Sequence, residues 1–356
     1  MTKSKLHWGY ALSPFGFSES AWRDGQTSDL GFDALLRQVD KARHAGFDFV
    51  ALFDRLGKRP AETIVSGNTT FEPTTLLSAL SSRARGIGFL AAASTAQHEA
   101  YNLARRFASL DTINGGRSGW IVLDDSTNGE RDLEYVDVVK GLWGSWDADA
   151  FIYDKENGRF FDPAKMHVLN HKGPHLSVRG PLNVNRSPQD TPVVAALFHY
   201  GYPALAARHA DVVILRSTSV DAARREAETV WRSVAEAGRN RAGVRLILSI
   251  VPSMATAKAP PGGSDATAPG GLDGLPLGDL GGDIAAALGG LASEADLDGY
   301  LLVPPSLQAV EGFISTTAPK LTGLGLGTRS ASLGTLRSTL GLELTATISK
   351  QAGETK

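Results

Sequence analysis

The stretch Tyr101-Asn102-Leu103-Ala104-Arg105-Arg106-Phe107-Ala108-Ser109-Leu110-Asp111-Thr112-Ile113-Asn114-Gly115-Gly116-Arg117-Ser118-Gly119-Trp120 joins a helix to a strand. Leu103, Phe107 and Leu110 recur at helical spacing, and Ile113 is expected to continue their apolar face. Gly115-Gly116 ends the helix where a positive φ costs a glycine little. Beyond Arg117, the run Trp120-Ile121-Val122-Leu123 has the composition of a buried strand and meets Asp124-Asp125. By spacing alone this is the αβ connection of a barrel.

The alternation continues in both directions. Upstream, strands are predicted at Leu6 to Leu12, Phe47 to Phe53 and Gly86 to Ala93. Between them lie an amphipathic helix from Phe32 to Ala45, closed by Gly46, and a helix after Phe71-Glu72-Pro73 that carries Leu76, Leu77 and Leu80. Phe47 to Phe53 is apolar almost throughout, as in a parallel strand covered on both faces. Downstream, a helix from about Glu130 to Leu142 is followed by the segment Gly144 to Asp190, rich in aromatics, His and charge, which reads as a structured insertion with short strands such as His175 to Val178. Strands resume at Val193 to Leu197, Val212 to Leu215, Val244 to Val251 and Asp298 to Val303, with helices at Ala204 to Ala210, Ala222 to Ala237 and Leu307 to Leu321. Thr256 to Gly282 is dominated by Gly, Pro, Ala and Asp without periodicity and is expected to be a disordered surface loop. Eight apolar strands alternating with helices argue for an α/β (β/α)8 TIM barrel over a doubly wound sheet. The whole chain, 1–356, is then one domain, with 144–190 as an insertion and 256–282 as a flexible loop.

With 356 residues, 42% of them hydrophobic, the chain can bury a full core and exceeds the ~250 residues typical of such a barrel. A formal net charge of −2 offers no electrostatic reason to expect nucleic acid or an anionic membrane as partner. The absence of cysteine excludes disulfides, cysteine nucleophiles and thiolate metal sites, so redox chemistry would need a bound cofactor. Without a signal-peptide h-region or an apolar run of ~18 residues, a soluble cytoplasmic protein is expected.

Asn102 to Asp111 followed by Gly115 to Trp120 closely resembles the hallmark of the flavin-dependent luciferase-like monooxygenases. The branch it resembles contains nitrilotriacetate, dibenzothiophene-sulfone and pristinamycin synthase monooxygenases. The resemblance extends over nearly the whole chain, through Leu142 to Asp147, Gly180 to Val184, Ala206 to Asp211 and Thr335 to Leu342. It implies a luciferase-like barrel, an oxidoreductase that uses reduced FMN and O2, a separate NAD(P)H:flavin reductase, a small-molecule substrate and an oligomer.

In a barrel of this kind the site lies at the C-terminal strand ends, here near Ser13, Asp54, Ser94-Thr95, Asp124, Phe198-His199, Arg216, Pro252 and Pro304. Asp54 is either a ligand contact or the cap of a local turn, and Ser94 and Thr95 either meet a cofactor or cap a helix; the resemblance implies flavin contact for all three. Trp120, Ile121, Phe198 and His199 are expected to line the pocket, and His199 or Tyr200 to be able to donate to phosphate. No general acid or base is assigned. Four positions depart from the family pattern. Its Trp-Asn in the fourth strand is Trp120-Ile121. Its following His and Tyr are missing from Asp124 to Arg131, with Gly129 near the Tyr position. Its Gly-Ser-Ser after the fifth strand reads Leu197-Phe198-His199-Tyr200, and a paired His of the first loop is Phe17-Ser18. The shortened fourth segment is similar to that of the smaller of the two pristinamycin synthase chains. FMN affinity is therefore expected to be weak or absent, and a non-catalytic subunit that partners a full-length homologue is the alternative function. His167, His171 and His175 are read as solvated loop residues, with no metal site.

Overall fold

A computed structural model describes residues 5–18, 21, 31–54, 71–123, 128–198, 202–252, 273–327 and 334–342. All eight expected strands form: β1 (His7–Ala11), β2 (Phe49–Leu52), β3 (Gly88–Ser94), β4 (Ser118–Leu123), β5 (Val193–Leu197), β6 (Val212–Leu215), β7 (Arg245–Val251) and β8 (Gly299–Leu302). Each pairs in parallel with the next, and β8 returns to β1, which closes a (β/α)8 barrel. Between and after them run α1 (Phe32–His44), α2 (Pro73–Arg83), α3 (Ala100–Asn114), α4 (Gly129–Trp143), α5 (Ala204–His209), α6 (Val220–Glu236), α7 (Ile284–Glu294), α8 (Leu307–Gly312), α9 (Ala318–Gly323) and α10 (Leu336–Thr339). Several helix starts carry side-chain caps. Glu72 accepts the Thr74 and Thr75 amides at α2, and Ser219 accepts the Ala222 amide at α6.

The strand period of two divides the core into two layers. Ala11, Ala51, Leu90, Ile121, Ala195 and Ile214 fill the barrel interior. Tyr10, Val50, Phe89, Trp120, Val194 and Val213 pack outward against the helices. No helix of the described residues is long and apolar enough to cross a membrane.

Four expectations need correction. Ile113 is 60% exposed, and the buried face of α3 passes instead through Asp111 and Asn114. The predicted loop Thr256–Gly282 lies outside the described residues up to 272, but its end is structured: Leu275–Pro276 adds to the end of β7, and Leu275 and Leu277 are buried. The last helix is not continuous from Leu307 to Leu321. A π turn, Phe313–Thr317, separates α8 from α9, because Pro319 lacks the N–H that an α-helix would send to the Ser315 carbonyl. The insertion strand predicted from His175 is confined to Ser177–Val178, which pairs with His171–Lys172. Glu134 of α4 holds this hairpin, accepting the His175 and Leu176 amides at 2.9 and 2.8 Å while sharing a 2.8 Å contact with His171 Nε2.

The N-terminal end of the barrel is closed by α10. Leu336, Leu340 and Leu342 join the interior layer, and Leu336 Cδ1 lies 2.5 Å from where a Cβ on Gly88 would stand, so that strand position has room only for hydrogen. The buried Arg337 guanidinium donates to Asp211 Oδ2 at 2.6 Å and to the Thr191 side chain and carbonyl. Gln189 Oε1 accepts the Arg337 amide, and its Nε2 donates to Asp111. Asp111 also accepts from the Ser118 amide and hydroxyl and from Ser187 Oγ.

Arg337→Met is expected to cost about 3–5 kcal/mol in urea unfolding, because it leaves the Asp211 carboxylate buried without its cation. Adding Asp211→Asn to that variant should recover part of the loss; no recovery would show that the ion pair is not the source. His209 is buried at the end of α5, which pushes its pKa down from 6.5 to about 3; the Asp137 carboxylate 3.7 Å away is largely in solvent and does not offset burial. The unfolded chain therefore binds a proton that the folded chain refuses. This stability term is fully present above the unfolded pKa near 6.5 and is lost as pH falls toward about 3. The slope is at most about 1.4 kcal/mol per pH unit, and His209→Gln should flatten it in unfolding measured from pH 7 to 4.5.

Candidate active site

The floor at the N-terminal end is sealed, which leaves the C-terminal mouth as the end of the barrel where a ligand can meet interior side chains. Strand alternation decides which groups face the axis there. Ala11 is followed inward by Ser13, Ala51 by Phe53, Ala92 by Ser94, Ile121 by Leu123, Ala195 by Leu197, and Ile214 by Arg216. On β7, Ser249 lies between the interior residues Ile247 and Val251.

The loop after β1 turns back into this mouth. Phe17 is buried within the interior cluster, and its amide donates to Pro304 O at 2.8 Å, tying the first loop to the one after β8. Gly16 makes that approach possible: its φ is 117°, and a Cβ there would stand 2.5 Å from Pro305 O. A small apolar cleft opens beside the ends of β1 and β2, lined by Leu12, Pro14, Leu52, Phe53 and Phe71.

The expected site residues divide by parity. Ile121 faces the interior, while Trp120 faces the helices, where its ring packs within 6.5 Å of Phe107, Tyr135 and Trp143 and its Nε1–H donates to Ala93 O. Phe198 likewise belongs to the outer layer. Neither lines the barrel interior as expected, because adjacent residues on a strand point to opposite faces. Ser94 is inward, and its Oγ accepts the Ala96 and Gln97 amides, both at 3.1 Å. Thr95 turns outward and donates to Asp132 Oδ1 at 2.6 Å, fastening the end of β3 to the first turn of α4. Asp54 is half-buried just past β2. His199, Tyr200 and Asp124 lie outside the described residues.

Two features were not singled out by the sequence. Tyr202 lies against Gly129: a Cβ on Gly129 would stand 2.5 Å from the phenol ring, so a tyrosine from the loop after β5 occupies space beside the shortened fourth segment. Its hydroxyl donates to Glu130 at 3.3 Å, and burial followed by the Glu130 charge raises its pKa. The other is Ser249, whose fully buried Oγ has no hydrogen-bond partner among the described residues. Strand parity would have found Ser249, but a lone serine in an apolar run does not announce itself. No cluster of His, Cys, Asp or Glu able to hold a metal is found among the described residues, where His171 and His167 contact Glu134 and Asp147 instead.

The model of the luciferase-like monooxygenase family matches residues 15–259. The chain is 36% identical over 274 residues to N-acetyl-S-(2-succino)cysteine monooxygenase of Bacillus subtilis, covering 71% of this chain and 62% of that protein. It is 43% identical over 192 residues to one of the two subunits of pristinamycin IIA synthase from Streptomyces pristinaespiralis, covering 54% of this chain and 64% of that protein. To the other subunit of the same synthase it is 33% identical over 262 residues, covering 66% and 57%. The chain thus spans about three-fifths of the length of these relatives. Among solved structures, the EDTA monooxygenase of Chelativorans sp. BNC1 superposes with a TM-score of 0.78 at 23% identity, covering 95% of this chain and 98% of that one.

The placement of Thr95 and Phe198 is directly testable. Thr95→Val should cost about 1–3 kcal/mol of stability by removing a donor from buried Asp132, and Phe198→Ser about 3–5 kcal/mol by emptying part of the outer layer. Both should leave FMN affinity, measured by flavin fluorescence, within about twofold of the parent. A large affinity loss at unchanged stability would put these side chains in the ligand site instead.

Proposed function

The chain belongs to the luciferase-like monooxygenase family, and from that premise we propose that it is the oxygenating component of a two-component system. It takes reduced FMN from a separate NAD(P)H-dependent flavin reductase and oxidises a small organic substrate with O2. When bound, the reduced flavin supplies two electrons, so that one oxygen atom enters the substrate and the other leaves as water.

The observation that carries this proposal is the composition of the mouth: among the described residues, small side chains and the unpartnered hydroxyl of Ser249 inside an apolar ring. Ala11 and Ala92 are small interior side chains, and Phe17, Phe53, Leu123 and Val303 surround them with the apolar surface that a flavin site needs to keep water out. The Ser249 hydroxyl offers a hydrogen bond to a ring heteroatom or a phosphate oxygen, and burying it unpaired costs about 1–3 kcal/mol. Ser94 borders the same space. These groups fit a flavin. They bind, orient and keep water out; none is assigned a proton-transfer step. A cytoplasmic location and an oligomeric assembly complete the proposal.

A second function has its own support. Ile121 places a hydrocarbon on the axis, and the chain is similar to both subunits of a two-subunit synthase. On this view the chain is a flavin-poor subunit that completes a full-length homologue.

Anaerobic titration with photoreduced FMN separates the two. The first proposal expects saturable binding in the micromolar range, tighter for reduced than for oxidised FMN, together with substrate-dependent NADH consumption when a reductase is added. If neither redox form binds, the oxygenase proposal fails and the partner-subunit function takes its place.

A further inference from the structure

Arg216 and Ser249 are neighbours on the inner wall of the barrel. The β6–β7 ladder ends with Leu215 opposite Leu248, and one residue further sets Arg216 opposite Ser249. Both have inward parity, two residues beyond the interior side chains Ile214 and Ile247. Ser249 also pairs with Leu301 of β8, which places its hydroxyl well within the wall. Among the described residues, Arg216 is the one cation at an inward strand-end position; the others carry apolar or seryl side chains. Low-dielectric walls of this kind concentrate the field of a single charge on whatever enters the mouth.

The Ser249 hydroxyl is an independent sign of a ligand. It is fully buried, makes no hydrogen bond among the described residues, and takes the ladder step after Leu215–Leu248, the step that Arg216 takes on β6. The corner is walled as well: Leu275–Pro276 pairs with Ile250 and Val251, and a Cβ on Gly274 would stand 2.9 Å from the Ser249 carbonyl. A guanidinium presents a planar fork that matches two oxygens of a phosphate, and a hydroxyl beside it can donate to a third.

We propose that Arg216 and Ser249 form an anion seat on the β6–β7 side of the mouth, and that this seat binds a phosphate monoester. Resting on the function proposed above, that monoester is the phosphate of FMN, held here instead of by a hydroxyl pair after β5. Phe198, which stands where such a hydroxyl is expected, faces the helices and leaves the grip to the neighbouring strands.

The experiment compares FMN with riboflavin, which differs by the phosphate alone, in fluorescence titrations of the parent chain, Arg216→Gln, Arg216→Lys and Ser249→Ala. The parent should bind FMN at least about tenfold more tightly than riboflavin, in keeping with charge-assisted hydrogen bonds to phosphate. Arg216→Gln should remove that preference while riboflavin affinity stays within about twofold, Arg216→Lys should retain part of it, and Ser249→Ala should lose FMN affinity several-fold. Equal weakening of both flavins by Arg216→Gln, or a parent chain without preference, would overturn the seat. If the parent binds neither flavin, the functional proposal fails, and inorganic phosphate then tests the seat by itself. A rise in melting temperature with phosphate, relative to chloride at equal ionic strength, that disappears in Arg216→Gln supports the seat; no rise overturns it.

Discussion

The buried contact between Arg337 and Asp211 holds together parts of the chain 126 residues apart. A salt bridge removed from water is not stabilising by itself, since desolvating both ions costs about as much as their attraction returns. Here the surroundings change the balance. Thr191 takes further donors of the guanidinium, the Val194 amide donates to the Asp211 carboxylate, and Gln189 links the pair to Asp111 and thus to α3. Removing one member leaves the others buried and unpaired, so the network resists partial opening.

This floor has a second function, because it anchors α10 as a plug. Leu336 and Leu340 complete the interior layer from below, and Arg245 holds the plug by donating to the carbonyls of Leu340 and Gly341. With that end closed, ligand chemistry is confined to the opposite mouth. There, among the described residues, the walls are apolar and the polar groups stand out against them: Ser13 and Ser94 engaged in their own turns, Arg216 at the end of β6, and the Ser249 hydroxyl, which has no partner among those residues.

A related constraint governs the strand starts. Asp48, Asp211 and Asp298 each precede an even-numbered strand and accept the backbone amide of Trp8, Val194 and Leu246 respectively, on the strand before it in the ladder. Asp111 does the same for Ser118 from within α3. These carboxylates accept amides at the barrel rim and so help to hold neighbouring strands in register. An aspartate just before each of these apolar runs is visible in the sequence, but its partner is not, because that partner lies on a different strand.

The sequence by itself determined the number of strands, the helices between them and the closure into a barrel, because apolar periodicity and glycine stops are local signals that burial reinforces. Leu103, Phe107 and Leu110 are buried where their spacing places them. It also contained the floor network in scattered form, since Asp111, Asp211 and Arg337 all lie in segments that carry the family resemblance. What only the tertiary structure decided is which face each residue takes. Trp120 and Ile121, or Ser94 and Thr95, are neighbours in sequence and opposites in space, and a shift of one residue in strand phase exchanges wall for interior. The convergence of Arg337 on Asp211 and of Tyr202 on Gly129 was equally invisible, because each depends on the ring closing and on the ladder register that closure imposes.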